Sequence, residues 1–237
     1  MPSVSTTMYK KIRLLGLVWL TMISLAKAQT INSPYSRYGL GDIVPSQNIV
    51  TRGMGGVSAA YFDPVSINFQ NPASYARLIR TSLDVGLELD NRTLRAVDPP
   101  RKFNAYSPTI SYVQLACPLK RTGGWGINLG LRPLTRINYK IERLSYVPGP
   151  DSINSLFTGS GGAYEAHIGT GFTLFKNLTV GVNAGYLFGS KDFSTRTTIL
   201  NDSVFHIMGN DETRSNYGGL VANGGIQYRA KLGKAYF

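Results

Sequence analysis

The 237-residue chain carries 25 Lys and Arg against 13 Asp and Glu, a formal charge of +12, and one cysteine, Cys117. A single cysteine excludes an internal disulfide framework. The basic side chains are scattered singly, which excludes the clustered footprint of a nucleic-acid binder and leaves anionic headgroups or a polar lumen as their expected surroundings.

Lys10, Lys11 and Arg13 precede the apolar run from Leu14 to Leu20, and Ala26-Lys27-Ala28 precedes Gln29. This is the pattern of a secretory signal peptide, residues 1–28. The apolar run is well short of the roughly 20 residues that a spanning helix needs. Loss of Lys10, Lys11, Arg13 and Lys27 with the signal would lower the formal charge from +12 to +8. No later stretch has the length of a membrane helix, and only helices and closed barrels satisfy their backbone groups in lipid. A membrane-embedded form of this chain is therefore expected to be a barrel.

Residues 29–80 are rich in Gly, Pro, Asn and Ser without a sustained period, and read as an irregular but specific segment. From Thr81 the pattern changes to strict alternation, the mark of strands with two unlike faces. Leu83, Val85, Leu87 and Leu89 alternate with Asp84, Gly86, Glu88 and Asp90. Trp125, Ile127, Leu129 and Leu131 alternate with Gly126, Asn128, Gly130 and Arg132, and Ile137, Tyr139 and Ile141 continue after a break at Pro133. Ile168, Thr170 and Phe172 alternate with His167, Gly169 and Gly171, and Val180, Val182 and Ala184 with Gly181, Asn183 and Gly185. A last segment runs from Leu220 to Tyr228.

A soluble sandwich alternates as well, and the connections separate the two. Short turns at Lys120–Gly123, Phe175–Asn177 and Leu232–Lys234 alternate with long polar stretches at 91–103, 147–162 and 191–216. That is the tight-turn, long-loop rhythm of outer-membrane barrels, and Tyr186, Phe188 and Tyr228 suit its interfacial girdles. The expected fold is all-β, an antiparallel transmembrane β-barrel over 81–237, with the N-terminal segment as a plug and the outer membrane as its location. Six strands and the start of a seventh at Ala235-Tyr236-Phe237 do not close an even-numbered barrel, so the sequence is expected to be an N-terminal fragment. The alternative is a complete eight-stranded barrel with an extra hairpin formed by Thr195–Leu200 and Ser203–Met208.

Gly55-Gly56-Val57-Ser58-Ala59-Ala60, then Asp63-Pro64, then Asn71-Pro72-Ala73 resemble the N-terminal hatch of the FadL/TodX family of outer-membrane transport proteins. The opening Ser33-Pro34-Tyr35-Ser36-Arg37-Tyr38-Gly39-Leu40-Gly41-Asp42 looks like the Bacteroidota branch of that family. The resemblance implies a fourteen-stranded barrel, a hatch built on Gly55, Gly56, Asp63, Asn71, Pro72 and Ala73, and passive uptake of hydrophobic small molecules such as fatty acids or aromatic hydrocarbons. Local chemistry fits a compact plug: glycines allow tight turns, prolines fix them, and Asn71 before Pro72 is held extended with its side chain free to bond the backbone.

The alternative function is structural, an accessory subunit of an outer-membrane assembly or secretion complex. The expected partners are membrane lipid and lipopolysaccharide, a hydrophobic ligand under the transport reading, and other outer-membrane proteins under the structural one, with no nucleic acid. An enzyme is not expected. His167 and His206 stand without a Gly-x-Ser-x-Gly elbow or paired carboxylates. No spacing of metal ligands occurs. Gly169-Thr170-Gly171 and Gly159-Ser160-Gly161-Gly162 precede no helix, so they are not phosphate loops. No cofactor and no metal is expected.

Overall fold

The computed structural model describes residues 32–96, 100–120, 123–146, 152–200, 208–232 and 235–236, so the expected signal peptide and His206 lie outside the described residues. The N-terminal segment holds a 3₁₀ turn at Pro34–Arg37, β1 (Asp42–Ile43), a short α-helix at Ile49–Gly53 and a second 3₁₀ turn at Pro72–Arg77. There follow β2 (Ser82–Ala96), β3 (Arg101–Pro118), β4 (Trp125–Tyr146), β5 (Ser152–Phe175), β6 (Leu178–Leu200) and β7 (Met208–Tyr228). They form one sheet in the order β2-β3-β4-β5-β6-β7, with β1 added to β4. The pairings from β3 through β7 are antiparallel. No described helix is long and apolar enough to cross a membrane.

Among the described residues β2 and β7 stand at the two ends of the order, so the sheet is open and not a closed barrel. Ala235–Tyr236 does not extend it as a seventh rising strand: β9 (Ala235–Tyr236) pairs with β8 (Lys231–Leu232) in a separate two-stranded sheet. Leu89–Pro108 is a compact unit of its own, in which Arg92 Nε donates to Asp90 at 2.8 Å and Thr93 Oγ1 to Asn104 at 3.1 Å. Asn32–Glu88 with Thr109–Phe237 is the other unit.

Strands are much longer than the alternation alone suggests. β4, β5, β6 and β7 run for 22, 24, 23 and 21 residues, so most of the stretches expected as long loops at 147–162 and 191–216 are strand. The ladder continues through them, with Thr195 opposite Asp211 and Thr198 opposite Met208. Thr-rich polar sequence is good strand material, and cross-strand polar pairs stabilise it in water. Ser194 Oγ donates to Asn210 at 3.3 Å, and Arg214 meets Asp192 at 3.1 Å. Because Thr195–Leu200 closes β6 against the start of β7, it does not form the additional hairpin of an eight-stranded barrel.

The alternation sorts the faces by the period-two geometry of a strand. On one face Leu129, Ile168 and Leu220 are 57, 59 and 90 % exposed. On the other, Gln114, Asn128 and Asn183 are buried under the N-terminal segment. A bulge at Leu134, where the β4–β5 register shifts between Pro133 and Thr135, inverts this pattern on β4. Beyond it, Ile137 and Tyr139 turn to the covered face and are buried there, unlike Leu129 and Leu131. One extra residue in one strand re-aims every side chain that follows. The same place is a fork. β3 pairs with β4 from Val113 opposite Leu131 to Pro118 opposite Gly126, whereas farther along β4 it is β1 that pairs, with Asp42 opposite Arg136. Val44 N–H donates to the bulge carbonyl of Leu134 at 2.9 Å, and Ser33 N–H to Asn138 O at 2.8 Å. The apolar centre of the covered face is Ile67, Tyr75, Leu78 and Ala116.

Candidate functional site

The covered face is built from two kinds of residue, glycines that leave room and polar side chains that hold. Asn71 is extended, with φ −121° and ψ 103°, as the proline after it requires. Its Oδ1 accepts from Ala73 N–H at 3.1 Å and caps the turn Pro72–Arg77, and its Nδ2 donates to Ala59 O at 2.6 Å and to Ile226 O on β7 at 3.3 Å. The turn lies flat on glycines of successive strands. A Cβ at Gly126 would meet the Tyr75 carbonyl, at Gly171 and Gly181 the Pro72 carbonyl, and at Gly225 the Asn71 side chain. Any side chain at these four positions would lift the turn off the sheet. Gly169-Thr170-Gly171 is thus part of a floor under a polypeptide turn.

Of the residues singled out in the sequence, Asn71, Pro72 and Ala73 are brought together on this floor. Gly55 and Gly56 are elsewhere, just past the α-helix, with φ of +76° and +83°. Gly56 N–H donates to Thr51 O at 2.8 Å, the left-handed exit that glycine gives a helix end. Asp63 forms an Asx turn, its Oδ1 accepting from Val65 N–H at 2.7 Å and Ser66 N–H at 2.9 Å. These three residues shape the segment's own backbone, and the floor contacts fall to Asn71, Pro72 and the turn that follows them.

The polar half of the site was not singled out in the sequence. Arg132 on β4 bonds Glu165 on β5 at 2.9 Å, with side chains 12 and 4 % exposed. The same guanidinium donates to Ser46 O at 3.3 Å and lies 5.3 Å from the centre of the Phe69 ring, so it ties sheet to segment. Asn128 Nδ2 reaches Tyr75 OH at 3.2 Å, Gln114 Oε1 at 2.8 Å and His167 Nε2 at 3.2 Å. Asn183 Nδ2 donates to Phe69 O at 3.3 Å, and Gln227 Nε2 to Tyr61 O at 3.2 Å. Along the edge toward β2, Ile49 N–H donates to Tyr112 OH at 3.0 Å, and Arg52 meets Glu88 at 3.0 Å. Tyr75 is fully buried, and that burial pushes its phenol up to about 12. It therefore stays neutral and hydrogen-bonding at every physiological pH.

Chemically this arrangement fastens a chain segment to a sheet. His167 Nδ1 lies 3.5 Å from Glu165 Oε1, yet the histidine side chain is 1 % exposed, closed off beneath the segment. The residues that sequence reading missed sit on different strands, and only the strand register brings Gln114, Asn128, Arg132 and Glu165 together. The available signal was the recurrence of glycine at covered-face positions of β4, β5, β6 and β7.

No curated protein and no solved structure matches the chain. The family model named BamG matches residues 8–237. That is a family unrelated to the FadL/TodX transporters, and it overturns the resemblance drawn from the glycine run and Asn71-Pro72-Ala73, together with the hydrophobic-ligand uptake that the resemblance implied. Those motifs are turn and cap chemistry, which any compact segment lying on a sheet requires. With all but its first seven residues covered by the match, the chain belongs to the BamG family.

Proposed function

We propose that this protein is a non-catalytic accessory subunit of outer-membrane protein assembly, held in the membrane by its strands and acting through association with other outer-membrane proteins. The observation that carries the reading is the family match over residues 8–237, because the family is associated with the bacterial outer membrane and its assembly machinery. The fold supports it in two ways. One face of the sheet is lined by Leu129, Ile168, Phe172, Val182 and Ile226, all exposed, which suits contact with lipid. The opposite face is occupied by the chain's own segment through buried hydrogen bonds, which suits a rigid scaffold. The signal peptide would direct export, and the N-terminal segment would brace the sheet in the manner expected of a plug.

Depletion of the protein in its native host tests this reading. The expected result is a several-fold fall in the abundance of other outer-membrane barrel proteins, read by quantitative proteomics of the outer-membrane fraction, with fatty-acid uptake unchanged. Unchanged barrel abundance in fully depleted cells would overturn it.

A further inference from the structure

At the end of the sheet where the short turns lie, three connections converge on the N-terminal segment and line an open cavity of about 640 Å³. Lys120 comes from the β3–β4 turn, Lys176 from the β5–β6 turn, Arg229 from the residue after β7, and Arg77 from the 3₁₀ turn of the segment. Phe62, Ala76 and Ile79 complete an apolar wall. Among the described lining residues there are four cations and no acid.

Two of these cations are held in place. The guanidinium carbons of Arg77 and Arg229 lie 4.9 and 5.1 Å from the centre of the same Phe62 ring, an arrangement that fixes two like charges beside one another. Burial, and secondarily the charge of Arg229, holds Arg77 below the usual arginine range. Near Lys120 the chain is tied down at Gly124, whose N–H donates to Ala76 O at 2.7 Å and whose O accepts from Thr173 N–H at 2.8 Å, and Gly123 N–H donates to Lys120 O at 2.9 Å. Concentrated positive charge on low-dielectric walls attracts and orients an anion.

We propose that this cavity binds an acidic polypeptide segment of a partner protein, carboxylates against Arg77, Lys120 and Lys176 and an apolar side chain against Phe62 and Ile79. The apolar wall favours a peptide over a bare anion. Position favours a peptide over a lipid headgroup, since Arg77 and Phe62 belong to the segment on the covered face, opposite the apolar face. The site goes beyond the assembly reading and stands on its own geometry.

The test uses the full chain in nanodiscs of zwitterionic lipid and a fluorescein-labelled oligo-glutamate peptide carrying one leucine, followed by anisotropy. Binding is expected at low salt, weakening as salt is raised, and falling by about tenfold or more in Lys120→Glu/Lys176→Glu. Lys120→Ala/Lys176→Ala, at the same exposed turns, is expected to fall by less, and circular dichroism of both variants checks that they are folded. Equal binding by the charge-reversed and native proteins would overturn the proposal. So would inorganic phosphate, or phosphatidylglycerol built into the nanodisc, displacing the peptide at concentrations at or below the peptide's own, which would make this a phosphate site.

Discussion

The Pro72 carbonyl rests on Gly171 and Gly181 and the Asn71 side chain on Gly225, and the absence of a β-carbon there is a packing requirement. Placing atoms where backbone already lies costs about 1–3 kcal/mol when the surroundings can shift, and the Pro72 carbonyl over Gly181 has little room to shift. Gly219, on β7, has nothing within 4 Å of the position a β-carbon would take. Gly181→Val is therefore expected to lower the midpoint of heat-induced unfolding on semi-native gels by several degrees and to expose the N-terminal segment to protease, while Gly219→Val leaves both readouts near native. Equal effects of the two substitutions would show that the glycine floor has no special role. The Arg132–Glu165 pair belongs to the same scale. Two nearly buried charges of opposite sign are tolerable because each is paired and the guanidinium also bonds Ser46, and removal of one partner would leave the other stranded.

At the scale of elements, the strands are decided by more than hydrophobic alternation. Thr195 to Thr198 lie in register with Asp211 to Met208 although neither stretch has an apolar face. Cysteines at Thr197 and Gly209, which are opposite one another, are expected to form a cross-strand disulfide in high yield when Cys117 is replaced by alanine, read by gel mobility with and without reductant. A loop in place of this ladder would give little or no bridge. Part of the fold was legible in the sequence for a plain reason: where one face is apolar, as in Leu83-Val85-Leu87 or Val180-Val182, the period announces both strand and face. Polar ladders announce neither, which is why 191–216 reads as a loop. The bulge at Leu134 was visible only as a break at Pro133, and its consequence, the inversion that buries Ile137 and Tyr139, needs the register of β5 to be seen. In the candidate site, Asn71-Pro72-Ala73 was legible because capping is local chemistry. Gln114, Asn128, Arg132 and Glu165 were not, because they meet across strands, and their separation in sequence carries no period. Resemblance to a transporter hatch misled for a related reason: glycine turns and an Asn-Pro cap report that a segment is compact and say nothing of what the whole protein does.

At the scale of the whole molecule, the sheet exposes an apolar face and covers part of its opposite face with its own chain, and β2 and β7 stand at its two ends among the described residues. Association with other outer-membrane proteins rests on the family match over residues 8–237. Its most direct measurement is affinity purification of the protein, tagged and expressed at its native level, from outer membranes crosslinked before solubilisation, with quantification of what co-purifies. Core components of the barrel-assembly machinery are expected at near-equimolar amounts, retained when the crosslinker is reversed in mild detergent. Recovery of the protein alone, or with fatty acid as its principal companion, would contradict it.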